Sequence, residues 1–146
     1  MRELPRELSV QELEGLFEGR TALVERLATE NNPLTRARTL VHELSLDEKR
    51  EVLAAHPAIG QRAGLSARSA VEQGSDDDPD VLDELTRLNA AYEKRHGFRF
   101  VVFVNRRPKS EILDVLRDRL SKSTGEELDT ALDELVAIAE DRWRRG

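Results

Sequence analysis

Phe98-Arg99-Phe100-Val101-Val102-Phe103-Val104 decides the fold, because it is the only strongly β-prone run in the chain. A strand needs a neighbour to complete its hydrogen-bond ladder, and no second run of this kind is present to supply one. The stretch therefore reads as an extended segment buried between helices. Its backbone N–H and C=O groups must then find partners among side chains or on a ligand.

On both sides of this run the apolar residues recur at helical spacing. Upstream, Gly97 is a C-cap for a helix from about Asp80 to His96, with Val81, Leu82, Leu85, Leu88, Asn89 and Tyr92 facing inward. Asp78 or Asp80 can cap its start, with Pro79 in the first turn. Downstream, Asn105-Arg106-Arg107-Pro108 is a turn, and Ser110 is expected to cap a helix from about Glu111 to Leu120. Ser123-Thr124-Gly125-Glu126 is a capping box that opens a last helix, reaching about Arg144. Nearer the start, Ser9 caps a first helix that Gly19 ends, and Thr21 caps a short second one. Asn31-Asn32-Pro33 interrupts the chain before a third helix from about Leu34 to Leu44. Ser45-Leu46-Asp47-Glu48 is another capping box, and the fourth helix it opens must end at His56, because Pro57 disfavours helical geometry there. The sum is an all-α fold: one domain over residues 1–146, a helical bundle with one extended segment near 98–104.

With 36% charged and 38% hydrophobic residues, the core is modest and the surface ionised. The absence of cysteine excludes disulfides, thiolate chemistry and Cys-ligated zinc, and fits a reducing compartment. No apolar run approaches the roughly 18 residues of a membrane helix. Neither a signal-peptide layout at Met1 nor a peroxisomal address at Arg144-Arg145-Gly146 is present, so a soluble cytoplasmic protein is expected. The net charge of −6, with basic residues interleaved among acids at helical spacing, argues against nucleic acid as partner, and the lack of a long apolar run argues against a membrane.

Chemistry is expected in the irregular stretch between helices, Ala55-His56-Pro57-Ala58-Ile59-Gly60 followed by Ser69-Ala70-Val71-Glu72-Gln73. His56 suits proton transfer near neutral pH. Its place at a helix C-terminus, beside unpaired carbonyls, predicts a stabilised imidazolium. His42 lies within a periodic helix and His96 beside a capping glycine, and neither needs a function. Taken singly, Ser69 is an N-cap, Glu72 a surface glutamate, and Arg142 one of several arginines on the last helix. No metal-ligand spacing, phosphate loop or nucleophile elbow occurs. Spacing alone thus stops at a helical protein with a polar His-Pro loop.

The ordered set goes further. Ala55-His56-Pro57 with Gly60, then Ser69-x-x-Glu72-Gln73, then Leu88-Asn89-x-x-Tyr92 through Gly97-Phe98-x-Phe100, Ser110-Glu111-Ile112-Leu113 and Glu126-Glu127-Leu128 together closely resemble the 2-oxo-4-hydroxy-4-carboxy-5-ureidoimidazoline (OHCU) decarboxylases of urate breakdown. The resemblance implies an all-α homodimer with no metal or organic cofactor, converting the ureidoimidazoline to (S)-allantoin and CO2. It makes His56 the catalytic histidine and Pro57 the neighbour that shapes the pocket; on chemical grounds Glu72 would orient His56 or take part in the stereospecific proton delivery. Ser69, Glu72 and Gln73 would bind the substrate, as would the backbone of Phe100, Val101, Val102, Phe103 and Val104, and Arg142 from the last helix. The chain departs from many relatives in Ala58-Ile59 after His56-Pro57, in a shorter loop to Ser69, and in Arg99, which would place an extra charge near the pocket. Two other readings fit less of the sequence: a cofactor-free enzyme on a related ureide, and a non-catalytic helical interaction module.

Overall fold

The computed structural model describes residues 2–59, 68, 71–72 and 78–146. Its axis is the longest helix among them, α7 (Thr124–Arg145), against which α1 (Val10–Phe17), α3 (Pro33–Glu43), α4 (Leu46–Ala54) and α5 (Pro79–His96) all pack. The short α2 (Ala22–Leu27) bridges α1, α3 and α4, and α6 (Lys109–Leu120) lies along α5. Helix α7 can serve as an axis because it buries more than one face: Ala131, Leu132, Leu135, Val136, Ile138 and Ala139 all enter the core.

Most helix boundaries follow local chemistry. Ser9 with Glu12, and Ser45 with Glu48, close reciprocal capping boxes, while Ser123 accepts from the Glu126 N–H. Gly97 ends α5 in the left-handed region at φ 81°, a conformation glycine adopts without a Cβ penalty. One cap falls elsewhere than the sequence suggests. Helix α6 starts at Lys109, with Pro108 rather than Ser110 in the cap position. The Pro108 carbonyl accepts from both Glu111 and Ile112, so the proline, its φ already near helical, opens the helix itself.

The segment from Phe98 to Val104 is extended and buried, and no described residue forms a β-ladder with it. Helix side chains take the place of a neighbouring strand. The Arg119 Nη1 donates to the Val101 carbonyl at 2.8 Å, and the Phe103 N–H donates to Glu134 Oε1 at 3.3 Å. Arg107 donates to the carbonyls of Phe103 (2.6 Å) and Val104 (3.0 Å). Arg119 is in turn held through its Nε by Glu127 Oε1 at 2.8 Å, and that oxygen also accepts from the Tyr92 hydroxyl at 2.6 Å. Burial and the Glu127 carboxylate push the Tyr92 hydroxyl's pKa well up, so it remains a donor. The Tyr92 ring meets Phe98 and Phe100 edge-on, which joins this polar cluster to the apolar core.

Removing Arg119 would leave Glu127 as an unpaired buried carboxylate. Arg119→Met is expected to lower unfolding free energy by about 3–5 kcal/mol, whereas Tyr92→Phe, which deletes one hydrogen bond to a carboxylate and leaves the ion pair, should cost about 1.5–3 kcal/mol. Urea unfolding of the two variants tests that order.

Candidate active site

Helix α4 closes with Ala55 as C-cap, and the chain then turns through His56 into Pro57. The cation at this helix end is Arg99. Its Nη1 donates to the carbonyls of Ala54 (3.1 Å) and His56 (2.6 Å), and its Nε donates to Glu93 Oε1 at 3.1 Å. Arg99 therefore caps a helix, does not line the cavity described below, and does the work expected of a charged His56. The imidazole itself points inward and is only 5% exposed. Burial lowers its pKa from the ordinary 6.5 to about 4; Arg142 and Arg99 push the same way, and the Glu18 carboxylate opposes them. His56 is thus a neutral imidazole at pH 7, not the imidazolium that its helix position suggested. Asn89, on the buried side of α5, fixes the following turn by donating to the Ile59 carbonyl at 3.0 Å.

Arg142, on the last turns of α7, is buried, with its side chain 2% exposed. All five of its N–H groups are engaged by protein acceptors. Nε donates to Glu72 Oε2 (2.9 Å), and Nη2 donates to Glu72 Oε1 (2.7 Å) and Glu18 Oε1 (2.9 Å). Nη1 reaches the carbonyls of Gly15 and Leu16, each at 3.3 Å. Burial works against its charge, but the carboxylates of Glu72 and Glu18 outweigh that and raise its pKa. Arg142 therefore ties the end of α1, helix α7 and Glu72 into one assembly. Glu18 was not singled out in the sequence. It is the C-cap of α1 in the left-handed region, at φ 67°, one residue ahead of the expected stop at Gly19. A β-carbon there costs about 1 kcal/mol, and a carboxylate at a helix C-terminus is disfavoured as well. Its ion pair with Arg142 offsets both. An acid just before a helix-ending glycine was the local sign that could have marked it.

These groups surround a cavity of about 360 Å³, a volume suited to a small ligand. It brings together His56, Pro57, Glu72, Arg142 and the whole segment Phe100, Val101, Val102, Phe103 and Val104. Gly60, Ser69 and Gln73 lie outside the described residues. The wall also contains Ile59, Ile138, Arg106, Arg107, Lys109, Asp141 and Arg145, which the sequence reading did not assign to it. Among the described residues its charged lining has five basic side chains (Arg106, Arg107, Lys109, Arg142, Arg145) against the two acids Glu72 and Asp141, on a chain of net charge −6.

Two sets of atoms in this wall lack protein partners. The His56 Nε2 is buried and has no hydrogen-bond partner among the described residues. The backbone shows a strand-like alternation. Groups of Val101 and Phe103 bond to Arg119, Glu134 and Arg107, whereas the N–H and C=O of Phe100 and Val102 have no partner among the described residues. One edge of the segment is thus tied to the protein and the other is open. Buried polar groups left unpaired are costly, and a neutral imidazole beside an open backbone edge can bind and titrate a small polar ligand.

The fold and site define a helical bundle enclosing a small-molecule cavity around a neutral histidine. The model of the OHCU decarboxylase family matches residues 2–144, and the chain belongs to that family. It is 34% identical over 108 residues to a 2-oxo-4-hydroxy-4-carboxy-5-ureidoimidazoline decarboxylase of Haloferax volcanii, an alignment covering 68% of this chain and 62% of the relative. The protein of the same name from Halalkalicoccus jeotgali is 31% identical over 103 residues, covering 68% of this chain and 58% of the relative. The chain thus spans about three fifths of the length of these two relatives. A crystal structure of an OHCU decarboxylase in the presence of (S)-allantoin shares the fold, with a TM-score of 0.77 at 22% identity over 92% of this chain and 96% of that one.

The lowered pKa of His56 links stability to pH. Between about 4 and 6.5 the unfolded chain binds a proton that the folded imidazole refuses. Stability contributed by the neutral ring is therefore complete above pH 6.5 and is lost as pH falls through 4, by up to about 3 kcal/mol. Subtracting the pH–stability curve of His56→Gln from that of the wild type is expected to show this loss in that window. A flat difference would mean that the ring is protonated normally.

Proposed function

We propose that the chain catalyses the cofactor-independent decarboxylation of OHCU to (S)-allantoin and CO2, the reaction its family's name describes. The observation that carries this reading is the open edge at Phe100 and Val102 beside the unpartnered His56 Nε2. An N–H and a C=O side by side complement the alternating donors and acceptors of a cyclic ureide. In the reaction the bond from the ring carbon to the carboxylate breaks, and its electron pair moves toward the neighbouring ring C=N, whose nitrogen takes up a proton. The hydroxyl then loses its proton to become the carbonyl, and the adjacent carbon gains one on a single face. The substrate is its own electron sink, so the protein must orient the scissile bond and move protons.

A neutral His56 is ready to accept the hydroxyl proton. Glu72, held by both oxygens on Arg142, would orient His56 or take part in the stereospecific proton delivery. Arg142 acts here by fixing Glu72 and balancing charge, since its own donors are engaged within the protein. Pro57 shapes the wall beside His56, and Ser69, Gln73 and the backbone of Phe100 to Val104 take the ring and ureido groups. The same reading makes residues 1–146 one catalytic domain, acting as a homodimer in the cytoplasm, as the family resemblance implies. No helix among the described residues is long and apolar enough to cross a membrane.

The test is circular dichroism of allantoin formed from freshly generated substrate, with urate oxidase and hydroxyisourate hydrolase making it in the cuvette. The wild type is expected to give a fast (S)-allantoin signal. His56→Ala should lower turnover by roughly a hundredfold to ten-thousandfold, and Glu72→Gln should retain binding but lose turnover. A wild type no faster than the racemic background would overturn the reading and direct attention to neighbouring ureides.

A further inference from the structure

A ligand that carries a carboxylate needs a cation in the cavity, and the most buried arginine of its wall, Arg142, is already engaged. Arg142 faces two carboxylates and two carbonyls, and its charge is answered within the protein. Arg145 is paired with Asp141 at 2.8 Å. Arg106 is exposed, in the left-handed half of a tight turn at φ 63°. Arg107 differs from all three. Its backbone N–H closes that turn onto the Val104 carbonyl at 3.1 Å. Its side chain folds back so that Nε and Nη2 donate to the Val104 and Phe103 carbonyls at 3.0 and 2.6 Å. These partners are neutral. No carboxylate among the described residues pairs with Arg107, and its Nη1 has no acceptor among them. A half-buried guanidinium is thereby fixed in the cavity wall with its charge unanswered, at the end of the segment whose open edge faces a ligand. Such a pre-oriented guanidinium is suited to a planar carboxylate.

We propose that Arg107 binds the carboxylate of the substrate, making the cavity selective for ureide rings that carry one. The identity of that carboxylate rests on the decarboxylase reading. The interaction has a direction in the catalytic cycle. Charge leaves the carboxylate as CO2 forms, so the contact is stronger with the substrate than with the transition state or the neutral product. Arg107 then governs capture more than turnover, and its contribution disappears when CO2 departs, which favours release.

The experiment compares binding of allantoate, a ureide with a carboxylate, and (S)-allantoin, which lacks one, by calorimetry on wild type, Arg107→Gln and Arg107→Lys. Arg107→Gln is expected to weaken allantoate by about tenfold or more while allantoin stays within about twofold. Arg107→Lys, which keeps the charge but not the planar fork, should bind allantoate more tightly than Arg107→Gln and more weakly than wild type. In turnover, KM should rise by about tenfold in Arg107→Gln with kcat within about threefold. Equal weakening of both ligands would show that Arg107 only braces the segment, and unchanged binding of both would place the carboxylate elsewhere; either result overturns the proposal alone. A wild type that binds neither ligand overturns the ureide reading and this proposal together.

Discussion

The buried cluster of Arg119, Glu127 and Tyr92 is the constraint on which the rest of the site depends. A single extended segment inside a helical bundle has backbone groups on two edges and no strand to take either. Arg119 takes one carbonyl from one edge, at Val101, and places its guanidinium over the Phe100 ring at 4.6 Å. The side chains of Arg119 and Glu127 are 8% and 2% exposed, so the pair gave up most of its hydration to form. Ion pairs of that kind are poor sources of net stability. What this one supplies is register. It selects which edge of the segment faces α6 and α7, and therefore which edge is left open at Phe100 and Val102.

A second arginine assembly does for the side chains of the candidate site what the first does for the wall. Arg142 draws together Glu72, Glu18 and the last carbonyls of α1. Arg99 performs a similar service for the end of α4. Burial does most to keep the His56 ring neutral, and the guanidiniums of Arg142 and Arg99 push the same way. The division is economical in residue types: the carboxylates absorb charge that would otherwise sit against the imidazole, while among the described residues the basic side chains of the cavity still outnumber its acids. A negatively charged protein thus presents a locally positive opening to small anions.

Much of this was legible in the sequence, and the boundary between legible and hidden follows chain separation. Ser9, Ser45 and Gly97 announce helix ends because a cap and its partner lie within a few residues of each other. The extended segment shows in composition, and its need for outside partners follows from its solitude. The contacts that reverse local expectation are distant ones. Arg99 meets the His56 carbonyl across 43 positions, and Arg142 meets Glu18 across 124. Nothing local to His56 reveals that another residue caps its helix, so the expectation of an imidazolium followed from the helix end alone. Nothing local to Glu18 explains why an acid occupies a left-handed cap. Arg142 looks like any other arginine on α7 until the bundle closes around it. Ser110 failed as a cap for a nearer reason, because Pro108 starts the helix two residues earlier.

The open edge also bears on how the protein avoids self-association. Val101-Val102-Phe103-Val104 is the kind of short apolar run that stacks into cross-β fibrils once its backbone is released. Here one edge is occupied by side chains of α6, α7 and the turn, and the other is enclosed in the cavity wall. Flanking positions 99, 106 and 107 are all arginine, so copies of the run brought into register would stack like charges at both ends. Those arginines act as gatekeepers for a segment that cannot be made less strand-like without closing the edge a ligand would use. The packing of α6 against α5 therefore shields a fibril-prone run as well as shaping the wall of the cavity.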